Sequence, residues 1–273
     1  MSMQELDAGN FLGSDVRTWE ADSVWYSLAS YDESLRAELH RSSNDWHSHR
    51  NPHFSFILQG GNVERRKRAV TDCLPGQLLF YHSGESHQNV NVVYPSKNFN
   101  VEMDEAFFSR YHLSDADIDA RLATGPSAKF TMLRIYQAAL DKGENANLEI
   151  HSLLLSLLFE GDREGGSTAV PSWVARVAEA INDRWDENLS LLELSMEAGV
   201  HPTTISKRFP KYFSCTLGEY VRRLRVEKAL AMIRRSDHSL TEIAHRCAFA
   251  DQSHFTRVFK ETTGLLPKSY RKI

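Results

Sequence analysis

Residues 240–263 read LTEIAHRCAFADQSHFTRVFKETT, and their spacing decides the fold of the C-terminal part of the chain. Ile243, Ala244 and Cys247 recur at helical spacing, then Ala248-Phe249-Ala250 interrupts, and a second helical period begins. In that second period Phe255, Val258 and Phe259 stand at i, i+3 and i+4, which gathers them on one face. Ser253, Thr256, Arg257 and Lys260 fall on the opposite side. A short helix, a tight turn and a second helix folded back on the first make a helix-turn-helix. Hydroxyls and cations on an exposed short helix suit phosphates and base edges.

The design occurs twice. Residues 189–213, LSLLELSMEAGVHPTTISKRFPKYF, carry a first helix, a break at Gly199-Val200-His201-Pro202, and a second helix. Between the two segments, residues 216–235 read as one helix. Leu217, Tyr220, Val221, Leu224 and Ile233 form its apolar stripe, and Arg222, Arg223, Arg225, Arg234 and Arg235 load its polar face. Such a helix is a spacer of roughly 30 Å at 1.5 Å per residue. Successive major grooves on one face of DNA recur every ~34 Å, so two reading helices on this spacer reach adjacent grooves. One helix-turn-helix pattern is a modest signal, because any helical bundle has polar faces. Two in tandem with an Arg-rich connector are far more specific.

Charge agrees. The chain has 273 residues and a net charge of -4, but residues 170–273 hold 17 Lys+Arg against 12 Asp+Glu, and the preceding part holds 15 against 24. An acidic N-terminal part joined to a basic C-terminal part points to a polyanion partner for the latter only. The length suits about two domains, and 41% hydrophobic residues exclude a disordered chain. The longest apolar stretch, residues 153–159, is broken by Ser156 and far short of the ~20 residues of a membrane span. The acidic start MSMQELDAGN lacks the pattern of a secretory signal. Three widely spaced cysteines, Cys73, Cys215 and Cys247, with no CxxC pair, fit free thiols in a reducing cytoplasm. Neither a nucleophile motif nor a phosphate-cradling glycine loop is present.

These residues carry a family resemblance. Ile243-Ala244, Cys247-x-Phe249, Asp251-Gln252-Ser253-His254-Phe255, Arg257-x-Phe259-Lys260, Gly264, Pro267 and Tyr270-Arg271 match, nearly position by position, the signature of the AraC-type bacterial transcription regulators. The resemblance covers residues 173–272. It implies a DNA-binding domain over 173–273 whose reading helices are 202–212 and 251–261. It assigns Thr203, Ser206 and Lys207 of the first, and Gln252, Ser253, Thr256 and Arg257 of the second, to DNA. The chain departs from the pattern at Ala248, where glycine is usual, and at Pro210 and Arg208 inside the first reading helix. A left-handed Ala248 costs roughly 1 kcal/mol, and Pro210 removes the bond to the Ser206 carbonyl.

Upstream the texture is that of strands. Residues 24–31, 54–58, 77–81 and 98–103 are rich in aromatic and β-branched residues, punctuated by Gly60-Gly61, Pro75-Gly76 and Ser83-Gly84, as in an antiparallel sandwich or barrel. The run Glu64-Arg65-Arg66-Lys67-Arg68 between two strands reads as a solvated hairpin. Residues 129–140 and 148–159 make an antiparallel helical hairpin whose apolar surplus serves either the core or a subunit interface. Glycine-rich residues 161–172 read as a linker, after a first domain of residues 1–160.

Histidine is the unusual residue. His47-x-His49-x3-His53, then Gly76-x5-His82-Ser83-Gly84-x2-His87-x3-Asn91, is similar to the two signature motifs of the cupin barrels. That resemblance implies an inward-facing set able to hold a divalent metal, with His53 where a Glu is usual and His82 where a Pro is usual. Residues i and i+2 of a strand share a face, so His47 and His49 converge.

The expected protein is thus a multi-domain α+β chain: an N-terminal antiparallel cupin-like β-barrel with a helical hairpin, then an all-α domain of two helix-turn-helix units joined by a linker helix. The expected function is a cytoplasmic, sequence-specific transcription regulator and not an enzyme. Its partners are double-stranded promoter DNA, RNA polymerase, a second copy in a homodimer, and a small-molecule effector held by His47, His49, His53, Tyr81 and His87; no membrane is involved. No cofactor is required by this reading. The rival is a metal-dependent cupin enzyme, or a metal sensor, using His47, His49, His53 and His87.

Overall fold

The structure, a computed structural model, describes residues 4–32, 46–114, 118, 128–141, 146–159, 171–213 and 215–273. The chain divides into two units, Met1–Gly161 and Asp162–Lys272. Most of the expected linker, residues 161–170, lies outside the described residues.

The aromatic and β-branched runs of the first unit all fall on strands. β1 (Gln4–Leu6), β2 (Asp15–Ala21), β3 (Val24–Tyr31), β4 (His47–His49) and β5 (His53–Gln59) come first. β6 (Asn62–Arg66), β7 (Ala69–Cys73), β8 (Leu78–Tyr81), β9 (His87–Val90) and β10 (Ser96–Met103) follow. They make two five-stranded sheets, ordered β1-β4-β9-β6-β7 and β2-β3-β10-β5-β8. Both orders are linear, so among the described residues the region is two open sheets, which corrects the expectation of a closed barrel. Strands β1, β7, β2 and β8 each pair on one side only, and β1 joins β4 in parallel register, Gln4 opposite His47, a departure from an all-antiparallel region. The middle of the second sheet is β10, paired along all eight residues with β3 and on its other side with β5. Tyr26, Phe54, Phe56, Phe99 and Val101 point to its buried side. Gly60 closes the turn after β5 at φ +71°, and a Cβ there would meet the Val93 carbonyl oxygen at 2.2 Å.

The basic run does form a hairpin between β6 and β7, but it is not wholly solvated. Strand alternation turns Glu64 inward, where it is 1% exposed, and leaves Arg65 outside. Among the described residues three helices of more than one residue follow in the unit: α1 (Glu105–Arg110), α2 (Ala128–Asp141) and α3 (Ala146–Phe159). Asp104 caps α1 by accepting from the Phe107 N–H at 2.8 Å. α2 and α3 pack as the expected hairpin, and Tyr136 of α2 meets Phe99 of β10 edge to face. Ile150, Leu153, Leu154, Leu157 and Leu158 of α3 are buried within the chain, whereas Leu148 is 73% exposed.

The second unit is helical: α4 (Ser172–Asp183), α5 (Leu191–Ala198), α6 (Pro202–Phe213), α7 (Leu217–Arg235), α8 (Leu240–Arg246), α9 (Gln252–Thr263) and α10 (Pro267–Lys272). α5, α7 and α8 each begin with a capping box, Ser190 with Glu193, Thr216 with Glu219 and Ser239 with Glu242. In each, the hydroxyl accepts from the third residue's N–H while that glutamate accepts from the cap's own N–H. The first helix-turn-helix, α5 and α6, packs Leu194, Ala198, Ile205 and Phe209 against Val177 and Ile181 of α4 and Leu224 of α7. The second, α8 and α9, buries Ile243, Ala244, Phe255, Val258 and Phe259, with α7 and α10 against it. α7 therefore serves both cores. Among the described residues no helix is long and apolar enough to cross a membrane, and all three cysteines are buried thiols outside any disulfide.

Candidate functional site

Two places bring polar side chains together. The first is the outer surface of the second unit. α6 buries Ile205 and Phe209 and leaves Thr203, Ser206 and Lys207 exposed, with Arg208 beside them. It runs on through Pro210 to Phe213. α9 buries Phe255, Val258 and Phe259, exposes Gln252, Ser253, Arg257 and Lys260, and half-buries Thr256. Asp251 caps α9 by accepting from the His254 N–H at 2.7 Å. Gln252 is held from the side, since its Oε1 accepts from the Thr241 hydroxyl of α8. Among the described residues Arg257 meets Glu261, one turn on, at 3.5 Å; with both side chains exposed this pair is weak and lets the guanidinium change partner.

The two turns are built alike. Gly199 stands at φ +67° after α5 and Ala248 at φ +53° after α8. The alanine thus does adopt the left-handed backbone that favours glycine. Its carbonyl accepts from Arg225 Nη1 at 2.8 Å. The same guanidinium donates to the carbonyls of Trp185 (3.1 Å) and Glu187 (2.8 Å) and to Asn188 Oδ1 (3.2 Å), just ahead of the first helix-turn-helix. Arg234 turns inward as well, to the Arg271 carbonyl at 2.9 Å. These two arginines are therefore not part of the polar face to which their spacing assigns them. Two cores press on α7 from two sides, and its solvent face is narrower than a single stripe suggests.

The second place lies within the first unit. His47 on β4 stands directly opposite His87 on β9, and His53 on β5 opposite Tyr81 on β8. All four histidines are buried. Ring centroids lie 4.2 Å apart for His47 and His87, 4.2 Å for His49 and His53, and 4.5 Å for His53 and Tyr81, which are stacked. One ligand atom from each of His47, His49 and His87 falls within 4.8 Å of the others. His53 is outside that group and pairs with Tyr81 on the other sheet. Burial, aided by the neighbouring imidazoles, pushes His49 down to about 2, and burial takes His87 down to about 4. Burial likewise holds His53 well below the ordinary histidine value. These three rings are thus neutral at pH 7 and present lone pairs.

Around the cluster stands a network that sequence reasoning misses. The Tyr81 hydroxyl donates to buried Glu64, and burial with the Glu64 charge pushes the phenol up. Arg66 meets Glu64 at 2.6 Å, grips both oxygens of Glu85 at 2.9 and 3.0 Å, and lies over the Tyr81 ring. The His87 Nδ1 is 3.1 Å from the Glu85 carbonyl. Phe11 closes the cluster over His49 and His53. The available signal is the acid inside the basic run, two residues before an arginine of the same strand.

Residues 194–273 match the family described as helix-turn-helix domain. The HTH-type transcriptional activator RhaS of Salmonella arizonae is 29% identical over 134 residues, 49% of this chain and 48% of that protein. RhaS of Salmonella newport matches to the same extent. The chain spans about half the length of these curated relatives. Among solved structures, the DNA-binding domain of AdpA in complex with a target DNA aligns with 37% of this chain and 92% of its own, at 24% identity and TM-score 0.35. ToxT from Vibrio cholerae aligns with 92% of this chain and 98% of its own, at 11% identity and TM-score 0.37. The curated relatives are transcriptional activators by name.

Proposed function

We propose that this chain, which carries an AraC-type helix-turn-helix domain over residues 194–273, is a sequence-specific regulator of transcription that reads promoter DNA with two helices of one polypeptide. The observation that carries the reading is the pair of second helices, α6 and α9. Each has its apolar face buried and hydroxyl and cationic side chains turned outward, joined in α9 by the amide of Gln252, and both are anchored to the single helix α7. Thr203, Ser206 and Lys207 of α6 and Gln252, Ser253, Thr256 and Arg257 of α9 are the proposed DNA contacts. Arginine and glutamine supply the bidentate donors that distinguish guanine and adenine in the major groove, while lysine and hydroxyls suit phosphates. α7 has 19 residues, a spacer of about 28 Å at 1.5 Å per residue. That span suits successive grooves on one face of a duplex.

In this proposal the first unit is a sensor whose ligand shifts the second unit's engagement with DNA by binding its states unequally. The similarity to activators favours activation, with RNA polymerase as a further partner in the cytoplasm. The exposed Leu148 and Leu140 on the helical hairpin are the proposed contact of a homodimer.

The test is affinity selection of fragmented genomic DNA by the purified chain at defined salt, since apparent specificity varies with salt. Recovery of one motif with two parts about a helical turn apart is the expected result. Enrichment no better than random fragments, with the ligand of the first unit present and absent, would overturn the proposal. Light scattering of the wild-type chain and of Leu148→Glu tests the dimer: loss of the dimer in the variant is expected.

A further inference from the structure

We infer that His47, His49 and His87 hold one divalent ion of borderline softness, zinc or in its place cobalt or nickel, and that this ion is the signal the first unit senses. The second half rests on the regulator reading above; the site itself does not.

The donor set fits such an ion on four grounds. Its three imidazoles come from adjacent strands β4 and β9, with one ligand atom of each within 4.8 Å of the others. An ion with Zn–N bonds of about 2.1 Å draws tetrahedral donors to roughly 3.4 Å of one another, so loading pulls the rings inward. Next, the tautomer of His87 is set. A carbonyl only accepts, so Nδ1 carries the proton it donates to Glu85, and Nε2 is left with a lone pair. A ligating histidine is oriented in this way by a backbone carbonyl behind it.

The third ground is an orphan: His49 is 4% exposed and its buried Nδ1 has no hydrogen-bond partner among the described residues; the Nδ1 of His53 has none either, but His53 lies outside the three rings whose ligand atoms converge. A buried polar atom without a partner is costly, and a metal bond removes that cost. The fourth is size. The cavity bounded by these histidines, Phe11 and Tyr81 measures about 30 Å³. Organic ligands occupy pockets of roughly 300–1,000 Å³, whereas one ion or water needs little more than 10–15 Å³. Three neutral nitrogens select zinc, cobalt or nickel over the oxygen-seeking magnesium and calcium.

His53 is excluded from the set by its strand. It belongs to the other sheet and stacks on Tyr81, whose hydroxyl is tied to Glu64. An ion that tightens His47, His49 and His87 therefore moves two inner strands of one sheet, β4 and β9, against the Tyr81 ring of the other, since His87 also packs on Tyr81. That contact supplies a difference between loaded and empty states which a sensor requires.

The full chain, stripped with a chelator and shown by circular dichroism to remain folded, is titrated with zinc by calorimetry and with cobalt by visible absorption. One ion per chain is expected, with the bands of tetrahedral cobalt and no thiolate charge-transfer band. His47→Gln and His87→Gln each weaken binding at least tenfold, while His53→Gln changes it less than threefold. A folded chain that takes up no ion, a cobalt spectrum with thiolate ligation, or equal loss in His53→Gln overturns the site. Should the glutamine variants not fold, the wild-type cobalt spectrum and His53→Gln still decide it. DNA binding to the selected motif is then measured with and without zinc. At least a fivefold change is expected, absent in His87→Gln. Zinc bound with unchanged DNA affinity overturns the sensing role. Failure to bind DNA in either condition overturns the regulator reading, and the ion titrations still decide the site.

Discussion

Arg225 donates to the carbonyl of Ala248 across 23 residues of sequence, and so one side chain of α7 holds the left-handed turn of the second helix-turn-helix. The same guanidinium holds the Trp185 and Glu187 carbonyls that precede the first. It is a tie between the two halves of the domain.

Removing the tie leaves these carbonyls without that donor. Arg225→Ala is expected to destabilise the second unit by about 2–3 kcal/mol, given the strength of hydrogen bonds to charged groups. Urea unfolding measures it. Binding to DNA carrying both half-sites is expected to fall more than binding to either half alone, because the halves lose their common reference.

Ala248 itself is strained at φ +53°. Ala248→Gly removes the Cβ from a backbone that disfavours it and is expected to stabilise the chain by about 0.5–1 kcal/mol. A denaturant midpoint that fails to rise would show the strain to be relieved already by Arg225.

Arg257 and Lys207 separate reading from holding. Arg257→Ala is expected to cost about 1–3 kcal/mol of DNA binding and to relax preference at one base pair, whereas Lys207→Ala weakens all sequences alike and lowers the salt slope by about one. Selection on randomised sites, repeated at two salt concentrations, distinguishes the two patterns.

The capping boxes predict an acid limb. Hydrogen bonds from Ser190, Thr216 and Ser239 hold Glu193, Glu219 and Glu242 below the ordinary glutamate value of 4.5. The unfolded chain therefore takes up these protons first, and the stabilisation is complete above pH 4.5 and lost as the pH falls through the lowered values. Helicity followed from pH 6 to 3 should show this loss. Glutamine at all three positions keeps an acceptor for the cap and should flatten it.

The second unit is legible in sequence because its signals are local. Phe255, Val258 and Phe259 are near neighbours along one helix, and spacing alone orients them. Thr203, Ser206, Lys207, Gln252, Ser253 and Arg257 are exposed for the same reason. Arg225 and Arg234 are not legible, because what draws them inward is a carbonyl more than 20 residues away. In the first unit, β3 can be read with its observed ends, since it is aromatic and central. β2 and β7 are polar strands with one paired side, and they carry no alternation to find. Closure into a barrel is decided by which distant strands pair, and no short run records that. The convergence of His47 and His49 follows from i and i+2. The pairing of His47 with His87 across 40 residues, and the withdrawal of His53 toward Tyr81, needs the sheets.

α7 is a continuous helix packed into both cores, and the side chains presented by α6 and α9 differ completely. If the chain reads DNA as proposed, its word is asymmetric and the bound complex has a front and a back. A half-turn of extra duplex between the two parts, about five base pairs, would put one part on the wrong side of the helix. Reversing the whole word would instead leave affinity unchanged while turning the first unit to face the other way along the promoter. Under that proposal, direction is something the chain imposes on its site without needing a second copy.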